Sequence, residues 1–243
     1  MQKLLATIKM KKLLILFLFI SAVSFSQEKV IELDYFVDYV VPGKRQKNTD
    51  TITIGFNKDG KYLWTNYNKL ALNLAKSLVK DSSKDYTKAE SNIIYDTEEG
   101  TLLMTFEFDN NLIFFNLNID SFLPKTNNND KDESLDLITE DIGETTEVLG
   151  REVDMHNIFP SDKPNDVLTI ATDKEFNVNN TAIFKKLFEI AFMKKGIKND
   201  NLPEFPEGLI MKIIIEENTL IEAINVDNTK KTLTINHSFK ITE

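Results

Sequence analysis

The chain has 243 residues, with 38 acidic against 29 basic side chains, a net charge of −9 and no cysteine. The acidic balance argues against a nucleic-acid groove, which needs clustered positive charge, and against an anionic membrane surface. The lack of cysteine excludes disulfides, thiolate metal sites and a lipid-modified cysteine anchor.

From Met10, MKKLLILFLFISAVSFSQ has the order of a secretory signal. Two lysines precede an apolar run from Leu13 to Ile20, and small residues lead to a cut expected between Ser26 and Gln27. The apolar run is shorter than the about 20 residues a spanning helix needs. Residues 1–26 are therefore expected to be a cleaved signal with its true start at Met10, and 27–243 a single domain. The product is expected to be periplasmic or extracellular, neither lipid-anchored nor carrying a transmembrane segment.

Most of the remaining chain alternates apolar and polar residues with the period of a strand. VIELDYFVDYVV reads as one half-buried strand, with Ile31, Leu33, Tyr35, Val37, Tyr39 and Val41 on one face and Glu32, Asp34 and Asp38 on the other. TITIGF and KYLWTN are predicted to pair through a turn at Asn57 to Gly60. Asn92 to Ile119 reads as three strands turning at Thr97 to Gly100 and at Asp109 to Asn111, with an inner face rich in phenylalanine. Two stretches switch to helical spacing. Tyr67, Leu70, Ala71, Leu74 and Leu78 mark the first. The second begins at Asn180, its expected cap, and aligns Phe184, Phe188 and Phe192. Between the helices, 125–147 carries eight acids against two lysines and is expected to be a mobile loop. After Gly208, six of seven positions in LIMKIII are apolar, so this strand needs cover on both faces. Leu209, Met211, Ile213 and Ile215 are expected toward the aromatic helix, with Ile210, Lys212 and Ile214 opposite. A hairpin around Glu217 and Asn218 and a final strand follow.

No nucleophile elbow, phosphate loop or zinc-protease motif is present. Ser77 and Lys80 match S-x-x-K without its companion elements. His156 shares a strand face with Asp154, and a third metal ligand would have to come from Asp162 or Asp166. His237 reads as a core histidine. Asp130, Asp132, Ser134, Asp136 and Asp141 approximate a calcium loop, but Leu135 stands where its glycine belongs and an aspartate where its bidentate glutamate belongs. No catalytic residue, metal or cofactor is expected. The candidate site is apolar: Trp64, Met104, Phe106, Phe184, Phe188, Phe192, Leu209 and Met211 either pack helix on sheet or line a cavity.

SNIIYDTEEGTLLMTF, EVLGREVDMHNI and FPEGLIMKI, with the signal ending SFSQ, resemble the outer-membrane lipoprotein carrier superfamily. Within it they are similar to small secreted Bacteroidetes families of unknown function, the GLPGLI type and a related domain. Val153 stands where those families have cysteine, and His156 where they have tyrosine. The resemblance implies an α+β fold: a curved antiparallel half-barrel of roughly ten strands with two main helices on its concave side, a concavity that lipoprotein carriers fill with acyl chains. The function expected is non-enzymatic binding or carriage of a lipid or other apolar group. The alternative is a solidly packed module that meets another envelope protein, with the acidic stretch as its surface.

Overall fold

The computed structural model describes residues 29–42, 49–67, 69, 90–108, 111–119, 136–185 and 204–235. Their alternating pattern is realised as thirteen strands: β1 (Lys29–Leu33), β2 (Tyr35–Pro42), β3 (Thr49–Phe56), β4 (Tyr62–Thr65), β5 (Glu90–Asp96), β6 (Thr101–Phe108), β7 (Asn111–Asn118), β8 (Leu137–Val148), β9 (Arg151–Pro160), β10 (Leu168–Asp173), β11 (Leu209–Ile215), β12 (Asn218–Asp227) and β13 (Lys231–Ile235). Eleven form one open antiparallel sheet in the order β7-β6-β5-β4-β3-β2-β12-β11-β10-β9-β8, while β1 and β13 form a separate two-stranded ribbon. Two runs of sequential neighbours, β2 to β7 and β8 to β12, are thus joined by the pairing of β2 with β12. β8 also touches β12. Three strands separate them in the sheet, and strands lie about 4.8 Å apart, so this end is strongly curved.

Among the described residues the architecture is β-rich, and α-helix is confined to Lys69 and to 180–185. Most of both expected helices lies outside the described residues, as do Phe188, Phe192, Ser77, Lys80, His237, the signal segment and 120–135. No helix among the described residues is long and apolar enough to cross a membrane. Asn180 does not cap the helical turn. The Asn179 side chain accepts from the Ala182 amide at 3.0 Å, while Asn180 is buried and donates to the carbonyls of Pro206 and Gly208, each at 2.7 Å.

Three other expectations are corrected. The first long strand divides at Asp34, whose carboxylate accepts from the Lys58 amide at 2.9 Å and whose amide donates to the Phe56 carbonyl at 2.7 Å. The chain is pinned there to the β3–β4 turn, so Ile31 and Leu33 leave the face of Val37 and Tyr39 and pack with Phe36 instead. Residues 137–147 of the expected acidic loop are strand β8, paired with β9 from Leu137–Pro160 to Val148–Arg151. Its acids lie mainly on the wet side of an edge strand, where charge blocks pairing with another chain. In β11 a register shift opposite Ala171 and Thr172 leaves Met211 without a partner on β10. Leu209 and Met211 join the core of Val37 and Tyr39, whereas Ile213 moves to the side of Ile210 with Phe205, Ile158 and Ile170. Phe176, Val178 and Ile183 cover one side of β11 and Phe205 the other.

Glycine is required where backbones meet. A Cβ on Gly208, whose φ is +111°, would lie 2.8 Å from the Asp173 carbonyl oxygen, and one on Gly55 would lie 2.9 Å from Leu33. The ribbon rests on the sheet at Gly55, burying Ile31, Leu33 and Ile235 against Phe36, Ile94 and Leu103. On the opposite face Tyr39 crosses β12 and donates to the Ile210 carbonyl at 2.6 Å. Burial pushes its hydroxyl far up, so it remains a donor at every pH the fold meets.

Lys29 anchors the ribbon, with its ammonium 2.7 Å from the fully buried Asp96 carboxylate. Burial works against the charge on Lys29, but the hydrogen bond and charge of Asp96 outweigh it and raise its pKa. Lys29→Met leaves the Asp96 carboxylate uncompensated, and we expect a loss of about 2–3 kcal/mol in urea unfolding. The two-residue turns Leu149–Gly150 and Glu216–Glu217 have positive φ throughout (57° and 72°, 47° and 67°). Three of these four residues are not glycine, and each such side chain costs about 1 kcal/mol in this region. Leu149→Asn and Glu217→Gly are therefore expected to raise the melting temperature.

Candidate functional site

The registers align two rows of side chains across one face of the sheet. Ile54, Thr65, Ile93, Met104 and Phe115 form one row, and Phe56, Leu63, Tyr95, Leu102 and Leu117 the next. Over them lies a partly open cavity of about 310 Å³, walled by Ile54, Thr65 and Ile93, by Leu63, Tyr95 and Leu102, and at its ends by Ile52, Tyr67 and Ile119. It is a gap between two cores. Ile52, Ile54 and Leu63 pack against the cluster of Val37, Tyr39, Leu209 and Met211, whereas Ile93 and Leu102 belong with Met104 and Phe106. An apolar space of this kind offers water no hydrogen-bond partners.

At the Tyr67 end the cavity meets charge. Asp50 shares the face of Ile52 and Ile54, two residues further along β3. Its carboxylate accepts from the Tyr67 hydroxyl at 3.3 Å and from the Lys69 ammonium at 2.6 and 2.7 Å. The hydrogen bond from Lys69 holds Asp50 below the usual carboxylate range against the opposing effect of burial, helped by the Lys69 charge and the Tyr67 hydroxyl. Both charged groups are well exposed to solvent.

The sequence candidates are brought together only in part: Phe184 packs with Leu209 and Met211, and Met104 with Phe106. Met104 and Phe106 pack beside the cavity, and Leu209 and Met211 are fully buried in the adjoining core. The Phe184 ring centroid lies 4.9 Å from that of Phe205, and Phe184 packs against both neighbouring clusters, the one of Leu209 and Met211 and the one of Phe205 and Ile210. The Trp64 ring faces the opposite side of the sheet, 5.5 Å from Phe36, and donates to Asn92 at 3.1 Å. There it borders a second cavity of about 250 Å³, closed by Leu233, Thr234 and Ile235 of the ribbon. Trp64 is the one candidate that also touches the first cavity. Sequence reading missed the actual walls because Ile54, Leu63, Ile93 and Leu102 look like ordinary inward residues; their cross-strand alignment is the missing information.

The metal reading finds no support among the described residues, where no group of three or more His, Asp or Glu side chains could hold an ion. Asp154 is paired with Lys174 at 2.8 Å, and Asp162 and Asp166 are exposed in the β9–β10 turn. His156 faces Asp141 across β8 and Ile170 across β10, with its Nε2 buried and unpartnered. No protein-family model and no curated protein matches the chain.

Burial lowers the His156 pKa, partly opposed by the Asp141 carboxylate. Its folded pKa is therefore below the unfolded value of about 6.5. The neutral ring contributes stability that is fully present above that value and is lost as pH falls through the folded pKa. His156→Leu is expected to flatten the decline in urea stability between pH 7 and 5. An unchanged decline would assign it to other groups.

Proposed function

We propose that the protein binds, and carries within the cell envelope, a lipid or other apolar group without transforming it. The observation that carries this reading is the cavity between the two cores, whose walls come almost wholly from Ile, Leu and Tyr residues with Thr65. Its volume falls at the lower end of ligand pockets, about 300 to 1,000 Å³, and its lining is the kind that holds apolar ligands. Each methylene moved there from water contributes about 0.8 kcal/mol, so a ten-carbon segment contributes about 8 kcal/mol, which corresponds to micromolar binding before ordering costs. The signal-like residues 10–26 and the carrier-like motifs support an envelope location.

A module that meets another envelope protein is the second reading, favoured by the open edge of the sheet at β8. The interrupted register between Asp141 and Thr145 and the acids Glu140, Glu144 and Glu147 oppose strand addition there.

Native mass spectrometry and solvent extraction of the exported protein are expected to find a bound apolar molecule, and the stripped protein is expected to take up a fluorescent fatty acid. Leu63→Trp, which places a larger side chain in the cavity, is expected to weaken that uptake at least about tenfold with the melting temperature within a few degrees of wild type. A folded, stripped protein that takes up no probe would rule the reading out.

A further inference from the structure

Register and volume together set the shape of what fills the cavity. Its walls cross four neighbouring strands, from Ile54 on β3 to Leu102 on β6. Three steps of about 4.8 Å make that reach about 14 Å. An extended chain of staggered C–C bonds about 1.5 Å long advances about 1.3 Å per carbon, so about eleven carbons span it. The volume gives nearly the same count: a methylene fills about the space of a water molecule, about 30 Å³, so about 310 Å³ holds about ten. Length and volume agree only for a space one chain wide. We propose that the site takes a single straight hydrocarbon chain of about ten to twelve carbons and rejects two-tailed lipids. This deepens the apolar-cavity reading and rests on it.

The strand registers give the width a second time. The row of Ile54, Thr65 and Ile93 and the row of Leu63, Tyr95 and Leu102 lie two residues apart along their strands, about 6.7 Å. One hydrocarbon chain, touching carbon at about 4 to 4.5 Å, lies in the trough between them, whereas two abreast need about 8 to 9 Å. Sharing the volume would also stop each of two tails at about five carbons and leave the rest of a long-tailed lipid in water. The wall side chains are chiefly Ile and Leu, so a polar head group keeps its hydration at the open side. Each carbon that enters raises affinity about two- to fourfold, and a carbon that finds no room adds little.

The test uses the full-length exported protein, stripped of bound lipid, with dansyl-undecanoic acid as reporter. Alkylphosphocholines with tails from octyl to hexadecyl, each below its micellar concentration, then compete for the site. Affinity is expected to rise about two- to fourfold per carbon up to about ten to twelve carbons and to level off beyond. Dodecylphosphocholine and dihexanoylphosphatidylcholine share a phosphocholine head and the same total of tail carbons, and the single-tailed one is expected to bind at least about tenfold tighter. Leu102→Trp, which fills the space of about two carbons at one end, is expected to move the break to correspondingly shorter chains. A rise that continues unbroken to hexadecyl, equal binding of the two phosphocholines, or an unmoved break in folded Leu102→Trp overturns the one-chain assignment but leaves the apolar-cavity reading standing. A protein that binds neither reporter nor competitor and retains its melting transition overturns both.

Discussion

The fold depends on burying both faces of its central strands at once. A strand such as β11, apolar on nearly every residue, is unstable wherever one face meets water, and an antiparallel sheet ordinarily leaves one face wet. Two devices supply the missing cover. The β1–β13 ribbon lies across the sheet at Gly55 and closes the side of Phe36, Ile94 and Leu103. On β11 the unpaired Met211 breaks the alternation, so that the strand contributes Leu209 and Met211 to one core and Ile210 and Ile213 to the other.

The cavity is a by-product of the same arrangement. Side chains of one face gather into two cores, one centred on Tyr39 and Met211 and the other on Met104 and Phe106, and the cavity lies between them. The turns of the two regions are meanwhile held together by polar bonds. The Thr97 hydroxyl donates to the Gly60 carbonyl at 2.8 Å, and the Asn179 amide donates to Lys58 at 2.9 Å. A Cβ on Gly60 would lie 2.3 Å from the Asn179 carbonyl oxygen, so that docking leaves no room for a side chain. The walls, already joined by strand pairing, are thus braced further at the turns.

Much of this was legible in the residues. The period-two pattern gives the strands, Asn57 to Gly60 and Thr97 to Gly100 give their turns, and the two-sided character of LIMKIII correctly demands a second layer of cover. What failed did so for physical reasons. A net acidic stretch reads as loop, yet β8 keeps its alternation and carries its acids outward. Asp34 reads as one more wet residue of a strand, although its hydrogen bonds to the β3–β4 turn end that strand. Trp64 and Met104 share an inward-looking pattern but lie on opposite faces, because face is set by register and register is a property of pairs.

The joining of β2 to β12 also governs how the chain reaches this state. Glu222 to Asp227 pair with Phe36 to Val40, and Lys231 to Ile235 pair with Lys29 to Leu33, so the middle of the sheet and its covering ribbon are its least local contacts in sequence. Each meander can form from near neighbours, but loop closure over nearly the whole chain must precede their union, and such topologies fold slowly. Until β12 arrives, β2 is an exposed edge and Tyr39 has no carbonyl to bond. Any order of folding that completes the two meanders first leaves their apolar flanks uncovered until β2 and β12 pair.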